Sequence, residues 1–368
     1  MGVDPADDSG RAHRAGGQSG KDGSQRGFHC LPPVFRVLFG PAGMRQADRA
    51  GLGMRPEFLV VQCERGDFHR GRPDVDAEQC CVVQATGVPG IRYLRSMTAA
   101  ENYLRDYHDR KPDAMSVLIE SGRVTGDGRT SYQVLADRVA PARNVLDLGC
   151  GDGALLAVFA RNGAEKLAGM DLSEGQLALA RKRPELAGAD LRHGRAQELP
   201  FADAAFEAVV SHMAFMLMDD PETVAAEVAR VLVPRGTFAI VVGGPDSTGA
   251  TRVFLELARP LFREVPEERR ATYTKERRTS ERSGIDEVLA PAGFAPVSWE
   301  PYEIDLTASP ETVWTLCCES FYSTDTLDED QRTRLRSAFL AETERLRTAD
   351  GRLPAGLSVN LAKTRLLT

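Results

Sequence analysis

The chain has 368 residues, 42% of them hydrophobic and 27% charged, and a formal net charge of -7. That balance is that of a folded globular protein rather than a disordered or fibrous one, and no apolar run approaches the roughly 20 residues that span a bilayer. An acidic chain without a basic block is also a poor candidate for binding nucleic acid.

Seven cysteines, with adjacent pairs at Cys80-Cys81 and Cys317-Cys318, do not make a disulfide framework. No Cys-x-x-Cys with nearby histidines offers a zinc site, so no metal is expected. The N-terminus lacks a compact apolar core after its basic residues, which argues against a secretory signal. The expectation is a cytoplasmic protein with reduced thiols and no membrane partner; its oligomeric state is left open.

Residues 1–27 are rich in Gly, Asp, Arg, Ser and Gln and carry almost nothing apolar to bury, so they are expected to be disordered. In 28–96, short apolar runs at 58–61 and 81–83 could be strands, but turn residues interrupt everything around them. The texture changes at Met97, where Thr98 reads as a helix N-cap and Glu101 as part of the first turn. Residues 1–96 are therefore expected to be either an upstream extension or a poorly structured appendage of a domain running from 97 to 368, with a small domain of their own as the alternative.

Residues 98–140 read as helices, carrying Tyr103, Tyr107 and His108 early and an amphipathic stretch at 132–139 late. The stretch that organises the rest is Val145-Leu146-Asp147-Leu148-Gly149-Cys150-Gly151-Asp152-Gly153. An apolar run stops at alternating glycines, and an Ala/Leu-rich helical pattern starts at Ala154. Strand, tight glycine turn and helix form the first unit of a nucleotide-binding sheet, in which the glycines admit a ligand close to the backbone. Gly149, Gly151 and Ala154 also satisfy the dinucleotide fingerprint, so a nicotinamide dehydrogenase is a rival. Against it, Asp147 stands two residues before the first glycine, where a carboxylate suits a cationic ligand better than a pyrophosphate.

From this stretch on, the chain resembles the class I S-adenosylmethionine-dependent methyltransferases, whose first motif reads much like LDLGCGDG. The resemblance implies an α/β fold: a Rossmann-like, doubly wound seven-stranded sheet with an antiparallel last strand, a helical N-terminal cover and a helical lid. It runs over 98–368, most closely over the core at 143–243. It further implies that Asp147 orients the amino group of S-adenosylmethionine, while Gly149, Cys150 and Gly151 form the turn beside its amino-acid end. Asp171, at the end of the second strand (166–171), would bond the ribose with its two acceptor oxygens. Leu172 and Gln176 follow in the same site, with Ser173 capping the next helix.

The third strand (189–193) leads to Arg195-Ala196-Gln197-Glu198-Leu199-Pro200-Phe201, where many relatives carry Asp-Ala-Glu-x-Leu-Pro-Phe. The Ala196 amide and the Gln197 side chain are the expected adenine contacts, with Gln197 in place of the usual Glu and Arg195 in place of the usual Asp. The fourth strand (206–211) ends at Ser211 and His212, beside the expected methyl group. It lacks the Asn/Asp-Pro-Pro-Tyr/Phe and Pro-Cys signatures of base methylation. Tyr107, in the N-terminal cover, is the expected aromatic closure of the cofactor site.

A helix follows at 222–232, then a fifth strand at 238–242. Beyond it, 245–285 and 307–350 read as lid insertions around a further strand at 296–302, with a final strand at 357–366. The charge run at 263–278 reads as a solvated helix face. Trp314, Phe321 and Tyr322 are either the apolar wall of the lid or its own core.

His212 is the first candidate catalytic base, since histidine titrates near neutral pH, and His108 is the second. The implied function is methyl transfer to a small molecule, and the Arg/Ala/Gly-rich composition associates it with bacterial specialised metabolism. Arg129 and Arg195 would suit a carboxylate-bearing acceptor such as a 2-oxo acid. The alternatives are an RNA methyltransferase and a non-catalytic S-adenosylmethionine-binding protein.

Overall fold

The computed structural model describes residues 97–272 and 277–368; the expectations for 1–96 lie outside the described residues. Thr98 and Glu101 close a reciprocal capping box that starts α1 (Ala99–Arg110), and Thr130 and Gln133 do the same for α3 (Ser131–Val139). Between them lie α2 (Ala114–Ser121) and a two-residue strand, β1 (Arg123–Val124). This strand departs from the all-helical expectation for 98–140. Its cause is Gly122, whose absent Cβ would sit 2.3 Å from Ile304 Cγ2. Without that atom the chain comes close enough to pair along Ile304 and Asp305.

The alternating units follow: β2 (Asn144–Leu148), α4 (Ala154–Arg161), β3 (Lys166–Asp171), α5 (Glu174–Ala180), β4 (Asp190–His193), β5 (Phe206–His212), α6 (Pro221–Val231) and β6 (Leu232–Thr248). Then come α7 (Gly249–Glu264), α8 (Arg282–Leu289), β7 (Ser298–Asp305), α9 (Pro310–Ser320), α10 (Glu329–Thr343) and β8 (Ala355–Arg365). The sheet order is β1-β7-β8-β6-β5-β2-β3-β4. Strands β4, β3, β2, β5 and β6 pair in parallel, and β8 runs antiparallel between β6 and β7. The seven expected strands are thus β2 to β8, with the antiparallel one last; β1 adds an eighth at the edge.

Both sheet faces are covered, as a parallel sheet requires. Val145, Ala208, Val210, Ala239 and Val241 face one core with α3, α4 and α7, while Leu146, Leu148, Val209, Ile240 and Val242 face another with α6 and α8. On the first face, Phe254 of α7 is fully buried at the centre of an aromatic group. Its ring centroid lies 5.7 Å from Trp314, 5.9 Å from Phe321 and 6.0 Å from Phe339. Helices α7, α9 and α10 thus extend the core on this sheet face, and Trp314 and Phe321 belong to it.

The charge run at 263–278 is not one helix face. Helix α7 stops at Glu264 before Val265-Pro266, because a proline disfavours helical geometry at the residue before it. Among the described residues, two short turns follow, Glu267–Arg269 and Arg277–Ser280. No helix among the described residues is long and apolar enough to cross a membrane.

Candidate functional site

A cavity of about 1070 Å³, counted to its open mouth, lies at the C-terminal ends of β2, β3 and β5. This is where an open parallel sheet binds ligands, at the point where strand order reverses. Its floor is the turn after β2. Gly149 has φ +70°, and a Cβ there would meet Ala214 Cβ at 2.4 Å. Gly151 has φ +55° and packs against the Gln176 amide. The turn therefore needs glycine for both its left-handed backbone and its close contacts.

Asp147 and Asp171 are the two carboxylates that the strands deliver to this floor. Asp171 accepts from the Gly151 and Ser173 amides, each at 2.8 Å, which fixes its plane at the cavity edge. Asp147 is 2% exposed, and its Oδ1 has no hydrogen-bond partner among the described residues. Burial, followed by the nearby charges of Asp171 and Asp152, raises its carboxyl well above the usual range. Asp152 is itself neutralised by Arg183, which also donates to the Asp152 carbonyl at 2.6 Å. The site thus holds an orphaned buried acceptor surrounded by acid, an arrangement that a cationic ligand would complete.

Cys150, Leu172, Gln176, Ala196, Gln197, His108 and His212 also line the cavity. The Gln197 amide nitrogen donates to the Asp219 carbonyl at 2.6 Å, which leaves its carbonyl oxygen as the group available to a ligand donor. Burial raises the Cys150 thiol well above its ordinary value, so it is no nucleophile. The Gln176 amide lies 3.1 Å from His108 Nδ1 and the Tyr322 hydroxyl 3.0 Å from His108 Nε2. Since the amide nitrogen can only donate, Nδ1 accepts and Nε2 carries the proton. Burial pushes His108 down to about 4 and His212 down to about 3. Both rings are therefore neutral at physiological pH, and neither titrates near neutrality as the sequence suggested.

Two expected site residues lie elsewhere. Ser211 is fully buried; it donates to the Leu148 carbonyl at 2.8 Å and accepts from the Phe215 amide at 3.1 Å, tying the end of β5 to β2. Tyr107 is 2% exposed, donates to the Glu319 carbonyl at 3.4 Å, and packs its ring against His108 and Tyr322. It supports residues of the cavity without lining it. The arginines also fall outside. Arg195 donates to the buried Glu101 at 2.7 Å, and Arg129 sits at the surface with Asp127 at 2.6 Å. Neither faces the cavity, so the basis for a carboxylate-bearing acceptor is gone.

Of the three aromatics weighed as wall or core, Tyr322 is the one that lines the cavity, from the segment after α9, and Met115, Ser116, Tyr132, Met213 and Met218, which were not expected, line it too. Among the described residues no group of three or more His, Cys, Asp and Glu could hold a metal ion.

Residues 146–240 match the model of a methyltransferase domain. Among similar proteins, ribosomal protein L11 methyltransferase of Burkholderia mallei is 29% identical over 200 residues, covering 53% of this chain and 60% of that protein. Demethylmenaquinone methyltransferase of Thermus thermophilus is 36% identical over 136 residues, covering 35% of this chain and 61% of that protein. The chain thus spans about three fifths of the length of these relatives. Among solved structures, phosphoethanolamine N-methyltransferase 2 of Haemonchus contortus, in complex with S-adenosyl-L-methionine, aligns with a TM-score of 0.46 and 17% identity. That alignment covers 74% of this chain and 61% of that one.

Proposed function

We propose that this chain, whose residues 146–240 match the model of a methyltransferase domain, transfers a methyl group from S-adenosylmethionine to a small, largely apolar acceptor. The observation that carries the reading is Asp147, a buried carboxylate with an unpartnered oxygen on the floor of the cavity. It would hold the amino group of S-adenosylmethionine, beside the turn at Gly149 and Gly151. Asp171 would hold the ribose, and Ala196 with Gln197 the adenine. When bound, the cofactor supplies a methyl group on a cationic sulfur that is a good leaving group.

The chain's own part is to orient, enclose and exclude water, and positioning of this kind is worth about 7–11 kcal/mol at its best. The acceptor would lie between Met115, Tyr132, Met213 and Met218. Arg105, the one lining arginine among the described residues, is held by Asp106 at 2.8 Å. With Leu104 and His108 of α1 and Tyr322 also lining it, the space suits a small molecule better than a folded protein's side chain or an RNA base. A tailoring step in bacterial specialised metabolism fits such an acceptor.

The test is a labelled-methyl screen with the full chain, offering apolar phenols, amines and enolisable ketones beside bulk tRNA and ribosomal protein. Label is expected in a small acceptor and absent from both polymers. Transfer to tRNA or to protein alone would overturn the small-molecule assignment.

A further inference from the structure

Gln197 lines the cavity with its side-chain amide held at one end. Its Nε2 donates to the Asp219 carbonyl at 2.6 Å and to Glu101 Oε1 at 3.3 Å. A backbone carbonyl and a carboxylate only accept, so the nitrogen must face them, and both of its hydrogens are used. The Gln197 Oε1 has no hydrogen bond among the described residues and is not sealed in by its neighbours. It is the end left for a ligand.

Both acceptors that hold Gln197 are tied to the start of α1. Glu101 is 3% exposed and lines the cavity. Its Oε1 also accepts from Arg195, through Nε at 3.0 Å and Nη2 at 2.7 Å, and its Oε2 accepts from the Thr98 amide at 2.9 Å. Asp219 accepts from the hydroxyl of Thr98, the N-cap of α1. A free glutamine would be indifferent to what it meets: half a turn about its soft last torsion exchanges the N–H donors for the carbonyl acceptor. With the nitrogen held by two acceptors, this side chain offers the cavity an acceptor only.

We propose that Glu101 and Arg195 are positioning residues that make the ring site selective for adenine. Arg195 anchors Glu101, and Glu101 helps to fix Gln197 as an acceptor for the exocyclic amine of the ring. The inference rests on the methyl-transfer reading given above. A ring with a carbonyl in place of that amine, as in hypoxanthine, sets one acceptor against another, and Gln197 cannot turn to donate without losing its own bonds. The start of α1, far in sequence from the ring contacts, thereby takes part in choosing the cofactor.

The experiment is calorimetric titration of the full chain with S-adenosylhomocysteine and with its deaminated form, S-inosylhomocysteine. The readout is the ratio of the two dissociation constants, in which a general loss of stability or affinity cancels. The wild type is expected to favour the adenosyl form by more than about tenfold, because a site built to pair an N–H rejects the analogue that lacks it. Glu101→Met keeps the length of the side chain and removes the acceptor; it should lower the ratio by about threefold or more, the worth of one hydrogen bond. Arg195→Met, which leaves Glu101 without its anchor, should lower the ratio in the same direction. Glu101→Gln keeps a carbonyl acceptor and a residue suited to the capping box, and should retain more of the ratio than Glu101→Met. A purely structural role would weaken both ligands alike and leave the ratio unchanged. A wild-type ratio near one, or a Glu101→Met ratio equal to that of the wild type, would overturn the proposal. Should Glu101→Met fail to fold, an unchanged ratio in Arg195→Met would overturn it. Failure of the wild type to bind the adenosyl form at all would instead strike the methyl-transfer reading, and this inference with it.

Discussion

Asp147→Asn is expected to bind S-adenosylmethionine about a hundredfold more weakly than the wild type and, without ligand, to melt at a higher temperature. The two effects have one origin. Asp147 is buried, its Oδ1 lacks a partner among the described residues, and Asp171 and Asp152 add like charge. Its folded-state affinity for a proton exceeds that of the unfolded chain. Stability is therefore lost as pH rises from the ordinary aspartate value through the raised one, and the loss persists above it. Asparagine keeps the shape and removes the charge, and each kcal/mol recovered raises the melting temperature by roughly 2–4 °C in a domain of this size. Removing one member of a buried charge pair costs about 2–5 kcal/mol, and 1.4 kcal/mol is a factor of ten, so on the order of a hundredfold in affinity should go. Calorimetric titration and a thermal melt of the same preparation check both halves. A variant that melts lower and binds normally would mean that Asp147 is merely structural.

Phe254→Ala should lose about 3–5 kcal/mol of stability, the range for removing a large buried aromatic. Phe254 is fully buried and touches the rings of Trp314, Phe321 and Phe339, so its removal leaves a void shared by α7, α9 and α10. The surrounding rings belong to three different elements, and collapse around the void would have to move all of them. Tyr322, which contacts His108, follows Phe321 directly, so affinity for the cofactor should fall as well. Urea unfolding beside a titration measures this. A loss under about 1 kcal/mol would show that α7, α9 and α10 do not pack around Phe254 as described.

The strand ends were legible because their signals are local. The turn from Asp147 to Gly151 and the carboxylate at the end of β3 are fixed by a few consecutive residues and by the needs of a tight turn. Ser211 and His212 show how the same reading fails. Neighbours on a strand face opposite sides; His212 follows Val210 toward the cavity, and Ser211 follows Val209 into the other core. Tyr107 and His108 differ similarly, about 100° apart around α1. The choice between wall and core for Tyr322, and the pairing of Arg195 with Glu101, had no local signal, since each depends on packing between segments far apart in sequence. Strand β1 was hidden for the same reason: the space that Gly122 leaves is defined by Ile304.

The most direct measurement is calorimetric titration of the full chain with S-adenosylmethionine as a function of pH, in buffers of differing ionisation heat. A cationic ligand beside Asp147 should pull its raised carboxyl down, so over the range where that carboxyl is protonated without ligand, binding should release a proton and tighten as pH rises. One saturable site with proton release is the expected result. Absence of saturable heat, or binding that takes up protons and weakens as pH rises, would contradict the assignment of this cavity to the cofactor.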